Sequence, residues 1–65
     1  MTLNEILESI GNRTIKREDL VQILNENAWE AEPVINHLVK QTNLVPVDED
    51  SFKVGDRFLL RYRLN

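Results

Sequence analysis

The chain has no cysteine, two glycines, two prolines and four aromatic residues among its 65 residues. The lack of cysteine excludes a disulfide framework and any zinc site built on thiolates, and it fits a reducing compartment. No apolar run approaches the length of a membrane-spanning helix, and the N-terminal Met-Thr-Leu-Asn-Glu lacks the features of a signal peptide. We therefore expect a cytoplasmic protein without a membrane segment.

Residue types that commonly carry catalysis are scarce. His37 is the single histidine, and no carboxylate lies three or four residues from it to orient its ring. The two glycines stand alone at positions 11 and 55, which excludes a glycine-rich phosphate loop. The acidic run 48–50 lacks the twelve-residue spacing of a calcium loop. The sequence thus predicts a protein that is not an enzyme and that uses no cofactor or metal.

The length of the chain predicts one domain, spanning residues 1–65. Because so short a chain buries only about 60% of its unfolded surface, a homodimer is one expected way to gain stability. Residues 1–50 hold four basic and ten acidic side chains, whereas residues 51–65 hold four basic and one acidic. The pI near 5.0 argues against strong non-specific binding to nucleic acid, but it leaves a local basic patch open.

Helical patterns fill the first two thirds of the chain. The spacing of the apolar residues predicts helices over 2–10, 17–25 and 32–42. Thr2 and Glu5 have the spacing of a capping box, and Gly11 stands where a helix commonly ends. Between the first two helices, Thr14 and Ile15 are β-branched and predict a very short strand.

The third helix has two distinct faces. Its apolar arc holds Val34, Ile35, Leu38, Val39 and Thr42. Its polar arc holds Asn36, His37, Lys40 and Gln41, with no carboxylate. The helix from Pro33 to Thr42 follows another helix after a short turn, which is typical of an element that contacts a partner.

After Gln41 the apolar period changes from 3.6 to two. Residues 44–47 predict a strand at an edge, because Pro46 cannot donate a hydrogen bond to a sheet. Residues 48–51 predict an acidic turn. Residues 57–64 predict a second strand, which should pair with the first over residues 58–63. The predicted fold class is α+β, with three helices followed by a C-terminal antiparallel β-hairpin.

Two sets of side chains each allow two interpretations. Trp29 either fills the gap between the second and third helices or contacts a partner. Arg57, Arg61 and Arg63 alternate along the predicted last strand, where they either face solvent and protect an edge or contact an anionic partner.

This layout resembles the winged-helix variant of the helix-turn-helix over nearly the whole chain. The resemblance rests on residues 14–20, on residues 32–39 and on the predicted hairpin from Asn43 to Leu64. In that superfamily the second helix of the pair enters the major groove of DNA, and the hairpin loop, or wing, touches the backbone or the minor groove. The resemblance implies base contacts from Asn36, His37, Lys40 and Gln41. It implies phosphate contacts from Arg13, Lys16, Arg17 and Lys53.

Two function classes follow from this resemblance. One is a DNA-binding transcriptional regulator that uses the third helix. The other is a protein-interaction adaptor on the same scaffold, since the expected wing carries Asp48, Glu49 and Asp50 and the third helix has no arginine. The adaptor's contact surface would then centre on Trp29 with Arg57, Arg61 and Arg63. Residues 20–38 also look like the last two helices of ubiquitin-associated or CUE-type modules, a family that lacks the hairpin.

Overall fold

A computed structural model describes residues 1–56 and 58 of the chain. The elements in chain order are α1 (Leu3–Ile10), β1 (Thr14–Lys16), α2 (Arg17–Glu26), α3 (Ala31–Lys40), β2 (Leu44–Pro46) and β3 (Ser51–Val54). Within the described residues, three helices therefore accompany one three-stranded antiparallel sheet in the order β1-β3-β2. The predicted α+β class is confirmed at this level.

Helix α1 begins with the capping box that the sequence predicts. The hydroxyl of Thr2 accepts a hydrogen bond from the amide of Glu5 at 3.2 Å, and the Glu5 carboxylate accepts one from the amide of Thr2 at 2.9 Å. These bonds satisfy two amides that lack partners at a helix start. The backbone amide of Thr2 first, and the Thr2 hydroxyl second, interact with the Glu5 carboxylate and lower the pKa of Glu5 below its ordinary value of 4.5.

Helices α2 and α3 both end in a left-handed residue that is not glycine. After α2, Ala28 has φ 64°, and the amides of Ala28 and Trp29 donate to carbonyls of the last helical turn. After α3, Thr42 has φ 62°, and the amides of Thr42 and Asn43 donate in the same pattern. Both ends are Schellman motifs, which usually place glycine at this position. The prediction that the third helix continues to Thr42 is wrong, because the chain reverses at Thr42 instead.

The sheet places alternate residues on opposite faces. Ile15 pairs with Phe52, and Leu44 pairs with Val54, on the face that packs against the helices. Thr14 and Val45 both pair with Lys53 on the outward face. The predicted short strand at Thr14 and Ile15 is confirmed, and it extends to Lys16.

The first hairpin strand has a different partner from the predicted one. Residues 44–46 pair with Ser51–Val54. Ser51-Phe-Lys-Val54 alternates polar and apolar side chains over four residues, so the chain turns back directly after the acidic loop. The predicted strand 57–64 lies outside the described residues except for Phe58, which is helical and whose amide donates to the Gly55 carbonyl at 3.0 Å.

The core lies between the helices and the inner face of the sheet. The apolar pattern of the sequence predicts a core of Leu3, Ile6, Leu7, Ile10, Ile15, Leu20, Ile23, Leu24, Ile35, Leu38, Phe58, Leu60 and Tyr62. Of these, the residues found buried are Ile6, Leu7, Ile10, Leu20, Leu24, Ile35, Leu38 and Phe58. Leu3, Ile15 and Ile23 are partly buried against them. Ala31, Leu44, Phe52 and Val54 are buried although the pattern does not predict them, and the last three belong to β2 and β3. Leu60 and Tyr62 lie outside the described residues. In the part of the chain that is described, no helix is long and apolar enough to span a membrane.

Candidate partner-binding surface

Helix α3 presents the polar arc that the sequence predicts. Ile35 and Leu38 are buried against the core, and Val34 and Val39 are partly buried at its margin. Asn36, His37, Lys40 and Gln41 are exposed, and so are Glu32 and Pro33 in the first turn. Because His37 and Lys40 lie in the last turn, they also suit the negative end of the helix dipole. The fold therefore leaves these polar groups available to a partner.

A cleft of about 300 Å³ separates α3 from the β2–β3 hairpin. Its lining residues are Arg17, Ile35, Asn36, Val39, Pro46, Asp48, Glu49 and Phe52. The lining thus includes the apolar side chains of Val39, Pro46 and Phe52 together with the carboxylates of Asp48 and Glu49. The sequence pattern does not predict Pro46 and Phe52 as site residues, since they reach α3 only through the pairing of β2 with β3. The cleft combines an apolar surface with charged side chains.

The hairpin tip is acidic and exposed. Asp48, Glu49 and Asp50 are all exposed, and the Asp48 carboxylate accepts a hydrogen bond from the Asp50 amide at 2.8 Å. The amide of Val47 donates to the carbonyl of Ser51 at 2.9 Å and closes the loop. A loop held by these bonds presents its charges in a defined place beside α3. The acidic turn predicted from the sequence is thus the tip of the hairpin.

Arg17 joins the three elements around the cleft. Its guanidinium lies 2.6 Å from the Glu32 carboxylate of α3 and 5.7 Å from the centre of the Phe52 ring. Its amide donates to the Asp50 carbonyl at 2.6 Å. The Arg17 side chain is only partly exposed. Its charge is paired with the Glu32 carboxylate, and its guanidinium lies over the Phe52 ring. A phosphate contact from Arg17 would have to compete with both interactions.

The other basic side chains do not converge on the face of α3. Arg13 donates to the carbonyls of Ile10 and Ser9 at 3.2 and 2.8 Å, so it caps the end of α1. Lys16 and Lys53 are exposed and belong to the outward face of the sheet. Among the described residues, Lys40 is therefore the one lysine or arginine on the polar arc of α3.

Trp29 follows the Schellman motif of α2 and is partly buried against the core. Its indole N–H donates to the Met1 carbonyl at 3.2 Å, and the terminal amine donates to the Asn27 side chain at 3.0 Å. These contacts fasten the N-terminus to the α2–α3 turn, which accords with the gap-filling interpretation. The remaining residues of the adaptor surface predicted from the sequence, Arg57, Arg61 and Arg63, lie outside the described residues.

The described residues hold no group of three histidine, cysteine, aspartate or glutamate side chains placed to bind a metal ion. The α3–hairpin surface offers amides, one imidazole, one ammonium, carboxylates and a partly apolar cleft. Such groups can bind a partner by charge, hydrogen bonds and contact area.

Comparisons with protein-family models, curated proteins and solved structures found no match to this chain.

Proposed function

We propose that the chain is a non-enzymatic binding module of the winged-helix kind, and that its partner is a protein. The element order supports the scaffold, because a helix, a short strand and two helices precede an antiparallel hairpin. The pairing of β2 with β3 supports it over a ubiquitin-associated or CUE-type module, since those three-helix modules lack the hairpin. Within the proposal, α3 is the recognition helix and the β2–β3 loop is the wing.

The observation that carries the choice of a protein partner is the acidic hairpin tip beside α3. Asp48, Glu49 and Asp50 occupy the position where a DNA-binding wing would meet phosphates. Glu32, at the other end of the surface, already pairs with Arg17. Since DNA affinity depends on neutralising phosphates, a surface with one lysine and several carboxylates is poorly suited to it.

The cleft defines the chemistry of the protein partner. Its apolar part, formed by Val39, Pro46 and Phe52, suits an aliphatic side chain. The carboxylates of Asp48 and Glu49 suit a neighbouring lysine or arginine of the partner. The proposed partner is therefore a segment in which basic and aliphatic residues are adjacent.

DNA binding stays the second candidate, and one observation favours it. Asn36, His37, Lys40 and Gln41 are all exposed on one helix face, and amide side chains can read adenine while lysine can read guanine. Even if Arg13, Lys16, Arg17, Lys40 and Lys53 all contacted phosphates, the slope of log K against log salt would be shallow, roughly −3 to −5. Lys40→Glu would then weaken binding to every sequence, and Asn36→Ala or Gln41→Ala would mainly relax sequence preference.

Fluorescence anisotropy at low salt tests the proposal. We expect no saturable binding of labelled mixed-sequence duplexes at about 50 mM salt, where phosphate contacts are strong. We expect a labelled, end-capped peptide of alternating leucine and lysine to bind. Saturable duplex binding with the shallow salt slope would overturn the protein-binding proposal in favour of DNA.

Two variants test whether the peptide binds in the cleft between α3 and the hairpin. Glu49→Lys should abolish its binding, because the change reverses a charge on the cleft. Glu8→Lys on exposed α1 makes the same change in net charge away from the cleft and should bind like the wild type. Equal loss in both variants would mean that net charge, and not the cleft, attracts the peptide.

A further inference from the structure

A second groove runs along the outer edge of β1, on a different part of the molecule from the α3–hairpin cleft. The sheet order places β1 at an edge. A cleft of about 450 Å³ beside it is lined by Ile10, Arg13, Thr14, Ile15, Lys16, Asp19 and Ile23. The three isoleucines come from α1, β1 and α2, so three elements contribute apolar surface to one groove.

The register shows which backbone groups of β1 point to this edge. The amide of Arg17 donates to the Asp50 carbonyl, which makes that pair a hydrogen-bonded one. Because hydrogen-bonded pairs alternate along an antiparallel ladder, Ile15 bonds to Phe52, while the amides of Thr14 and Lys16 and the carbonyl of Thr14 point outward. The carbonyl of Lys16, the N-cap residue, belongs to the first turn of α2. No described strand pairs with that outer side of β1.

We propose that the edge of β1 binds an extended acidic peptide as a fourth strand. Such addition of a strand is a common mode of peptide recognition, in which backbone bonds give affinity and alternate side chains give specificity. The peptide residue opposite Ile15 has its side chain on the inner face, where it meets Ile10 and Ile23. The two residues that flank it bond to Thr14 and Lys16 and have their side chains on the outward face.

Charge identifies the flanking residues as aspartate or glutamate. Lys16 is exposed directly opposite one of them, and cross-strand pairs of opposite charge are favourable. Arg13 holds a second positive charge at the end of the groove, fixed by its bonds to the α1 carbonyls. Asp19 is the one carboxylate of the lining. The groove thus fits an acidic–aliphatic–acidic segment.

The same charges disfavour a second copy of this chain at this edge. Antiparallel pairing of two β1 strands about Ile15 would place Arg13 of each copy opposite Arg17 of the other. Like charges across strands are destabilising. The strand is also only three residues long, which limits pairing to a short segment of matched charge.

Amide hydrogen exchange followed by NMR tests the proposal on the full chain. The probe is an end-capped pentapeptide with a central valine flanked by aspartates. At saturation we expect slowed exchange at the amides of Thr14 and Lys16, whereas a matched peptide with lysines in place of the aspartates should give none. Lys16→Glu should weaken binding about tenfold, and Lys53→Glu, on the same outward face but not on the edge, should weaken it much less.

N-methylated peptides separate strand addition from a simple charge effect. Methylation of the aspartate amide opposite Thr14 removes its bond to the Thr14 carbonyl and should weaken binding strongly. Methylation of the valine amide, which points away from β1, should leave binding intact. Equal binding of the two methylated peptides would overturn the proposal. Protection of both amides without peptide, together with the mass of a dimer in sedimentation, would overturn it in favour of self-pairing.

Discussion

At the scale of single residues, Thr42 and Ala28 occupy backbone conformations that favour glycine. Thr42 has φ 62° and Ala28 has φ 64°. A left-handed conformation costs an L-residue roughly 1–2 kcal/mol, and a β-branched side chain fits it especially poorly. Thr42→Gly should therefore raise the free energy of unfolding by about 1 kcal/mol, and by more than Ala28→Gly does. Urea denaturation measures both.

Glu8→Gly is the matched control for these changes. Glu8 lies inside α1 with ordinary helical geometry, so glycine there should lower the free energy of unfolding by about 1 kcal/mol. An equal loss of stability in Thr42→Gly and Glu8→Gly would mean that Thr42 does not adopt the left-handed conformation in solution.

At position 55 the chain needs glycine because there is no space for a side chain. Its amide donates to the Asn43 carbonyl at 2.8 Å, and a Cβ added to it would overlap the backbone carbonyl oxygen of Thr42. Since backbone atoms cannot move aside like the end of a side chain, Gly55→Ala should cost about 1–3 kcal/mol. In Gly11→Ala the added Cβ lies 3.8 Å from the backbone carbonyl oxygen of Glu8, so only the positive φ of Gly11 opposes the substitution. A smaller loss for Gly55→Ala than for Gly11→Ala in the same denaturation assay would contradict this packing.

At the scale of elements, the start of α1 should make stability depend on pH. Bonds from the backbone and hydroxyl of Thr2 lower the pKa of Glu5 in the folded state. A lowered pKa means that the ionised carboxylate stabilises the fold above the unfolded value near 4.5, and that this gain disappears as the pH falls through the folded value. When the pH is lowered from neutral to below the folded pKa of Glu5, the free energy of unfolding should therefore fall less in Glu5→Gln than in the wild type.

Urea midpoints at a series of pH values measure this difference. Glu8→Gln is the control, because Glu8 lies on the same helix outside the capping box. The expected result is a flatter pH profile for Glu5→Gln than for Glu8→Gln. Parallel profiles for the two variants would show that the capping box does not form in solution.

Elements with strong local signals were predictable from the sequence, and elements that depend on distant contacts were not. The capping box of Thr2 and the two faces of α3 follow from residue spacing alone, and both are present. Strand β3 was missed because its four-residue alternation is shorter than the alternation at 57–64, which suggested a stronger strand. The turn at Thr42 was missed because threonine rarely adopts positive φ.

The candidate site likewise has one part that was predictable from the sequence and one part that was not. The exposed arc of Asn36, His37, Lys40 and Gln41 was predictable, because one helix face defines it. The pairing of Arg17 with Glu32 was not predictable, since fifteen residues separate them. Nor was the cleft, because it exists only where the β2–β3 hairpin turns its acidic tip toward α3.

At the scale of the whole molecule, the distribution of charge decides between the two proposed partners. Arg13 caps α1, Arg17 pairs with Glu32, and Lys16 and Lys53 belong to the outward face of the sheet. The described surface around α3 therefore has carboxylates where a DNA-binding module needs cations. This placement is the central reason to expect a basic, partly apolar protein segment at the α3–hairpin cleft.

Chemical-shift mapping on the ¹⁵N-labelled chain tests that claim most directly, with the leucine–lysine peptide and a mixed-sequence duplex titrated in parallel at low salt. The account predicts saturable shifts with the peptide at cleft amides such as Asn36, Val39, Glu49 and Phe52, and none with the duplex. Saturable shifts with the duplex along Asn36, His37, Lys40 and Gln41, without any response to the peptide, would contradict it.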